Sequence, residues 1–327
     1  MRILVTGGAG YIGSVVVREL VESGQQVVVV DNLQTGHREA VVEGAKFVFG
    51  DLSDLRLLRD VIARENVEAV IHFAAEALVG DSMKNPSKFF RNNICYGINL
   101  LDAMVRAGVR RIVFSSSAAT YGEPVTLPIK EDDPAIPTNP YGESKLAFEK
   151  VLKWYNAIHG MEYVALRYFN AAGAAGALGE DHRPETHLIP LILMTAKGLL
   201  PSVRVNGDDY DTPDGTCVRD FVHVLDLASA HVLALGGADS RIYNLGTGEG
   251  RSVKEVIAAA RKVTGKDIPV EVASRRPGDP AKLVADGSKI QRELNWKPKY
   301  SDLNTILESA WKWLVEHPNG YGPAPGV

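Results

Sequence analysis

The chain has 327 residues, 45% hydrophobic and 23% charged, and a formal net charge of -4 with no basic run. These values describe an ordinary soluble globular protein long enough for two cores, and they give no support to nucleic-acid or anionic-membrane binding. No apolar stretch reaches the roughly 18 residues needed to span a bilayer, and Met1–Val5 turns into glycines too soon for a signal peptide. Cys95 and Cys217 are the only cysteines and lie far apart, as expected in a reducing cytoplasm.

Ile3-Leu4-Val5 predicts a short buried strand, followed by Gly7-Gly8-Ala9-Gly10-Tyr11-Ile12-Gly13 and a helical pattern closed by Gly24. A glycine turn between a strand and a helix lets a pyrophosphate approach bare backbone at the helix N-terminus, where the dipole favours negative charge. The run satisfies both GxGxxG (Gly8, Gly10, Gly13) and GxxGxxG (Gly7, Gly10, Gly13), so the spacing does not choose between them. The next strand, Val27–Val30, ends in Asp31-Asn32. An acid there accepts hydrogen bonds from an adenosine ribose and disfavours a 2′-phosphate, which selects NAD over NADP; taken alone, the pair would also suit a turn.

The alternation then repeats. Phe47–Phe49 leads to Gly50-Asp51, a helix runs through Leu55, Leu58 and Ile62, and Ala69–Ile71 leads to His72-Phe73-Ala74-Ala75. A helix around Ile94 to Val105 follows Asn92, and Arg111–Phe114 runs into Ser115-Ser116-Ser117. Strands alternating with helices predict an α/β fold with a parallel, doubly wound sheet whose ligand site lies outside the carboxyl ends of the strands. Phe73-Ala74-Ala75 reads as a close-packed cofactor wall, Asn92 as a cap or an anchor beside it.

A proline-rich loop then ends at Pro140-Tyr141-Gly142-Glu143-Ser144-Lys145. Pro140 suits a helix start, and Leu146, Phe148, Val151, Leu152 and Tyr155 continue at helical period. Tyr141 and Lys145 therefore share a helix face, and with Ser117 they form a candidate for acid/base chemistry on a hydroxyl. Farther on, His182 and His187 are five apart with Pro184 between them, which is not the helical HExxH of zinc proteases, and no metal site is expected. Gly246-Thr247-Gly248-Glu249-Gly250 imitates a second nucleotide loop but reads as a strand-to-helix turn capped by Ser252, with Glu255 three residues on. Two isolated arginines, Arg219 and Arg276, could supply guanidinium forks to phosphates.

The run Thr6–Gly13, Asp31-Asn32-Leu33, His72–Ala75, Ser115–Ser117 and Tyr141–Lys145 together resemble the extended short-chain dehydrogenase/reductase family, and from Met1 to about Tyr321 the chain is most similar to that family's 4-epimerases of UDP-hexoses. The resemblance implies a Rossmann-like NAD-binding domain over 1–171 and a smaller C-terminal α/β domain over 172–327 that binds a UDP-sugar, with part of 216–246 packing back on the first. It implies NAD contacts from Gly7, Gly10, Tyr11, Ile12, Gly13, Asp31, Asn32, Asp51, Leu52, Phe73, Ala74, Ala75, Asn92, Ser115, Tyr141, Lys145 and Tyr168. For the substrate it implies Ser117, Tyr141, Phe169, Asn170, His187, Leu188, Arg219, Arg276, Asp279 and Leu283. Leu283 corresponds to a pocket-wall position whose size separates narrow from N-acetyl-accepting relatives. Glu76 stands where some relatives have a lysine, and Ala119 where many have threonine.

The implied reaction inverts C4 of a UDP-hexose, UDP-galactose to UDP-glucose, through a 4-keto intermediate. Tyr141 takes the 4-hydroxyl proton, Ser117 shares its hydrogen bonds and Lys145 steadies the phenolate. For a phenol to act near neutrality its pKa must fall by about 3 units, roughly 4 kcal/mol of charge stabilisation. Elimination of water, as in sugar-nucleotide dehydratases, is disfavoured because Ala118-Ala119 follows Ser117 in place of an acid pair. A homodimer, formed by the helices after Asn92 and Tyr141, is the implied assembly.

Overall fold

In the computed structural model, which describes residues 1–237, 240–276 and 278–322, the chain builds a seven-stranded parallel sheet of Rossmann-like type. Pro277, which follows Arg276, and residues 323–327 lie outside the described residues. The first six strands are β1 (Arg2–Thr6), β2 (Gln26–Asp31), β3 (Ala45–Phe49), β4 (Ala69–His72), β5 (Arg111–Ser117) and β6 (Glu162–Tyr168). Between them run α1 (Tyr11–Glu22), α2 (Leu55–Arg64), the short α3 (Val79–Ser82) and α4 (Pro86–Phe90), α5 (Tyr96–Ala107) and α6 (Pro140–His159). The helix expected around Ile94 starts instead as a π-turn over Arg91–Cys95 that continues into α5.

The sheet order is β10-β6-β5-β4-β1-β2-β3, where β10 is Arg241–Leu245 from the C-terminal half. The order reverses direction between β1 and β4, which opens a crevice at their carboxyl ends. Alternate residues of each strand feed opposite cores. Ile3, Val5 and Val29 pack under α1 and α8 (Val224–Gly236), while Leu4, Val28, Ile112 and Phe114 pack under α2, α5 and α6. Both faces are thus buried, as a doubly wound sheet requires.

The C-terminal half also contributes β7 (Asn170–Ala172), β8 (Val203–Asn206), β9 (Val218–His223), β11 (Gly250–Ser252), β12 (Val270–Ala273) and β13 (Lys282–Leu283). β9 is the hub: β7, β11 and β13 all pair with it. A third core, including Ile189, Ile192, Phe221, Val256 and Ile306, lies among this sheet, α7 (Leu188–Ala196), α9 (Val253–Thr264) and α11 (Leu303–Glu316), with α10 (Ser288–Leu294) beside β10. Because β10 pairs with β6 and α8 packs on the large sheet, residues 224–236 and 241–245 lie against the first half of the chain.

Three histidines lie inside these cores. Burial lowers His72 to about 3, and His223 and His231 to about 4, so all three are neutral in the folded chain. An unfolded histidine binds its proton near pH ~6.5, so between that pH and the lower folded values the unfolded state holds more protons. Stability is therefore complete above pH ~6.5 and is lost as the pH falls toward 4. His231→Leu should flatten this slope by up to about 1.4 kcal/mol per pH unit in urea titrations. An unchanged slope would mean that His231 is protonated in the native protein.

Candidate active site

The glycine turn is shaped by contact. Gly7 has φ +74°, and a Cβ there would lie 2.5 Å from the Ala74 nitrogen; one at Gly13 would lie 2.3 Å from the Gly7 carbonyl oxygen. No larger residue lets β1, α1 and the Phe73-Ala74 segment approach so closely. Gly10 caps α1 without any side-chain hydrogen bond, so the helix N-terminus faces the crevice with its dipole uncompensated. At the end of β2, the Asp31 carboxylate accepts from the backbone N–H groups of Ala9 at 3.0 Å and Leu33 at 2.8 Å. Burial raises its pKa and these two bonds oppose the rise. Beside it, the Asn32 amide donates to Asp51 at 2.7 Å.

The opposite wall is where β5 ends and α6 begins. β5 extends through all three serines, in register with β6 as far as Ser117 opposite Tyr168. Asn139 caps α6 by accepting from the Gly142 N–H at 2.9 Å, and Pro140 occupies the first turn. A Cβ at Gly142 would lie 2.3 Å from the Ala119 carbonyl oxygen, so glycine between Tyr141 and Lys145 lets α6 press its first turn onto the end of β5. The Tyr141 phenol lies beside Ser117; burial raises its pKa and the neighbouring Ser117 hydroxyl lowers it. The Lys145 ammonium is 2% exposed and donates to the Ser115 carbonyl at 2.7 Å, with its nitrogen 5.9 Å from the centroid of the Tyr141 ring. The contact expected between ammonium and phenolate is thus replaced here by a backbone anchor. Burial brings Lys145 down to about 7, against the pull of Glu149 one turn farther along α6.

Every candidate residue named from the sequence lines one cleft of about 840 Å³ between the two halves of the chain. Their engagements differ. Arg219 donates to Asp279 and, at 2.8 Å, to the Val218 carbonyl, while Leu283 lies beside Arg219 in the β13–β9 pairing. Arg276 is exposed. His187 is committed elsewhere: its Nδ1 lies 2.8 Å from Glu180 and 3.0 Å from Glu185. Asn92 donates back to the Lys88 carbonyl at 2.9 Å within the π-turn. Glu76 pairs with Lys88 at 2.8 Å.

Several supporting residues escaped the sequence reading. Asn93, next to the expected Asn92, is buried and donates to the Glu76 carbonyl and the Ser144 hydroxyl, tying the cofactor-side wall to α6. Beneath Lys145, Glu149 accepts two bonds from Arg167, at 2.9 and 2.6 Å, and one from Ser116 at 2.6 Å. Its place four residues after Lys145 was the available signal. The Gly246–Gly250 turn has its own occupant: the buried Asp220 carboxylate accepts from the N–H groups of Thr247, Gly248 and Ala285 and from the Thr247 hydroxyl. Those donors are spent inside the protein, which is why this loop is not a second phosphate cradle. Arg167→Met leaves the Glu149 charge buried and unpaired and should cost about 3–5 kcal/mol in urea unfolding, most of it recovered by adding Glu149→Leu. A single-variant loss below about 1 kcal/mol would remove the pair from this supporting role.

Comparison with known proteins agrees with this arrangement. The profile of the NAD dependent epimerase/dehydratase family matches residues 3–246. UDP-glucose 4-epimerase of Lacticaseibacillus casei is 52% identical over 328 residues, covering 98% of this chain and 99% of that one. The enzyme of the same name from Halalkalibacterium halodurans is 54% identical, covering 98% of each. The crystal structure of UDP-glucose 4-epimerase from Bifidobacterium longum in complex with NAD+ and UDP, 41% identical, superposes with a TM-score of 0.94 over 98% of this chain and 100% of that one. The chain belongs to the NAD dependent epimerase/dehydratase family.

Proposed function

We propose that the chain is a UDP-glucose 4-epimerase, an isomerase that inverts C4 of UDP-galactose to give UDP-glucose and runs equally in reverse. The observation that carries this reading is the meeting of Ser117, Tyr141 and Lys145 on the wall of the cleft that also holds the glycine turn and Arg219, Arg276 and Asp279. The relatives of that name match the chain over nearly its whole length.

NAD suits the residues present: Gly7 and Gly13 admit no side chain, the start of α1 is uncapped, and Asp31 closes β2 with a carboxylate. When bound, NAD+ supplies a two-electron acceptor for the C4 hydrogen, returns that hydrogen with its electron pair, and adds a positive charge that opposes the raised phenol pKa. The rest falls to the chain. Tyr141 removes the 4-hydroxyl proton and later gives it back, and Ser117, beside the phenol in the same cleft, holds the hydroxyl in line. Lys145, anchored on Ser115, keeps the Tyr141 end of α6 in place. Arg219, Arg276 and Asp279 grip the UDP while the 4-keto sugar turns to present its other face, with Phe169, Asn170, Leu188 and Leu283 shaping the space for that turn.

The enzyme works in the cytoplasm as a homodimer built on α5 and α6. In support, no described helix is long and apolar enough to cross a membrane, both cysteines are free, and Trp154 and Ile158, one turn apart on α6, are each 68% exposed. Purified protein given UDP-galactose and no cofactor should form UDP-glucose; no product even with NAD+ added would defeat the reading. Tyr141→Phe should lower turnover by at least about 100-fold with UDP binding retained, and near-normal turnover would remove Tyr141 from its role. Trp154→Lys should shift sedimentation from dimer to monomer, whereas an unaltered dimer would place the interface elsewhere.

A further inference from the structure

The segment ahead of α7 gathers four side chains that the epimerase chemistry does not use together. Glu180, His182, Glu185 and His187 each turn one nitrogen or oxygen toward a common point, all within 4.8 Å of one another. His187 Nδ1 stands 2.8 Å from Glu180 and 3.0 Å from Glu185, and His182 Nδ1 stands 3.2 Å from Glu180 and 3.6 Å from Glu185. Among the described residues this is the one such group of three or more. The five-residue spacing of the histidines excluded a helical zinc motif, but these residues are not on a helix; an extended loop folds both imidazoles onto one spot.

Two details separate this cluster from a pair of ordinary ion pairs. The His182 Nδ1 is buried and makes no hydrogen bond, although two carboxylates are within reach, so it is aligned with neither oxygen. Second, in a tetrahedral site with metal–ligand bonds of about 2.0–2.2 Å, neighbouring ligand atoms stand about 3.3–3.5 Å apart. The four nitrogen–oxygen separations here, 2.8, 3.0, 3.2 and 3.6 Å, are close to or shorter than that edge, so the four atoms stand near enough to share one ion. Charge agrees: two carboxylates held close together, their side chains 9% and 7% exposed, balance one divalent cation when both imidazoles are neutral. Each carboxylate is within 3.6 Å of both imidazole Nδ1 atoms, so the four groups already face one another.

We propose that Glu180, His182, Glu185 and His187 form a four-ligand site for a divalent transition-metal ion, Zn2+ by preference. Two imidazoles with two carboxylates suit Zn2+, whereas Mg2+ and Ca2+ call for six or more oxygens. Four protein ligands leave no open position, so the ion is structural rather than catalytic. It fastens the 180–187 loop to the cofactor side of the cleft, where the His182 ring meets Tyr11 of the glycine turn edge to face at 6.4 Å, and the Tyr11 hydroxyl donates to the Gly173 carbonyl at 2.6 Å. It also sets the start of α7, whose cap residue is His187.

The test uses the whole protein, stripped with a chelator, dialysed, equilibrated with Zn2+ alone and assayed for metal without any substrate, so its result is independent of the epimerase reading. The native chain should hold about one Zn2+ per chain and melt at a higher temperature with the ion than without it. His182→Phe keeps a ring against Tyr11, and Glu185→Gln keeps an acceptor for the loop N–H groups; each should weaken Zn2+ binding by more than the roughly 100-fold that changes outside the ligand set can cost. Co2+ soaked into the native protein should give the intense visible absorption of a tetrahedral site, a readout that does not depend on either variant folding. Uptake well below one equivalent, uptake unchanged in both variants, or a weak octahedral Co2+ spectrum would overturn the proposal.

Discussion

The interaction on which the catalytic wall depends is the buried pair of Glu149 and Arg167. The two side chains are 1% and 4% exposed, and an unpaired charge at that depth would cost several kcal/mol. Because Arg167 belongs to β6, Glu149 to α6 and the hydrogen-bonded Ser116 to β5, the pair sets where α6 sits along the strand ends. Lys145 lies one turn before Glu149 and donates to Ser115 from that position; Tyr141 lies one turn earlier still, on the cleft wall with Ser117. The carboxylate also supplies the negative charge that partly offsets the desolvation of the Lys145 ammonium. Arg167 continues the chain outward, packing its guanidinium over Tyr121 at 4.8 Å, whose hydroxyl donates to Asn244 on β10. α6 is thereby tied to the strand contributed by the C-terminal half.

A second buried carboxylate plays the same organising part across the cleft. Asp220, on β9, draws in the N–H groups of the turn after β10 and that of Ala285 just beyond β13. Its neighbour on the strand is Arg219, which turns the other way, into the cleft, and meets Asp279. Adjacent residues of one strand thus divide the work: one closes a loop inside the protein and the next faces the cleft. In an extended strand this follows from geometry alone, provided that the register of β9 is held, and its pairings with β7, β11 and β13 hold it.

The 180–187 loop lies beside the glycine turn, just ahead of α7. It is clamped from outside by Asp181, whose carbonyl meets His37 at 2.7 Å and whose carboxylate accepts from the Tyr321 N–H at 3.0 Å, while its inner face carries the histidine and glutamate cluster toward Tyr11. A loop with so little regular structure is held by such side-chain contacts, and it ends at His187, the residue that caps α7.

By itself the sequence determined what depends on local order along the chain. The glycine turn, Asp31 at the end of β2, the three serines, and Tyr141 with Lys145 one helical turn apart are short-range patterns, legible because backbone sterics and helix periodicity act over a few residues. The alternation of elements likewise required a parallel, doubly wound sheet, and the Ser252–Glu255 capping box formed as its spacing demands. What only the tertiary structure decided were partnerships between distant residues: that Lys145 rests on a backbone carbonyl rather than on the phenol, that Arg219 and Asp279 face each other, that Asp220 fills the false nucleotide loop, and that four residues of an irregular loop share one point. Such contacts depend on the packing of helices against sheets and on loop paths, for which no period or propensity in the sequence carries a signal.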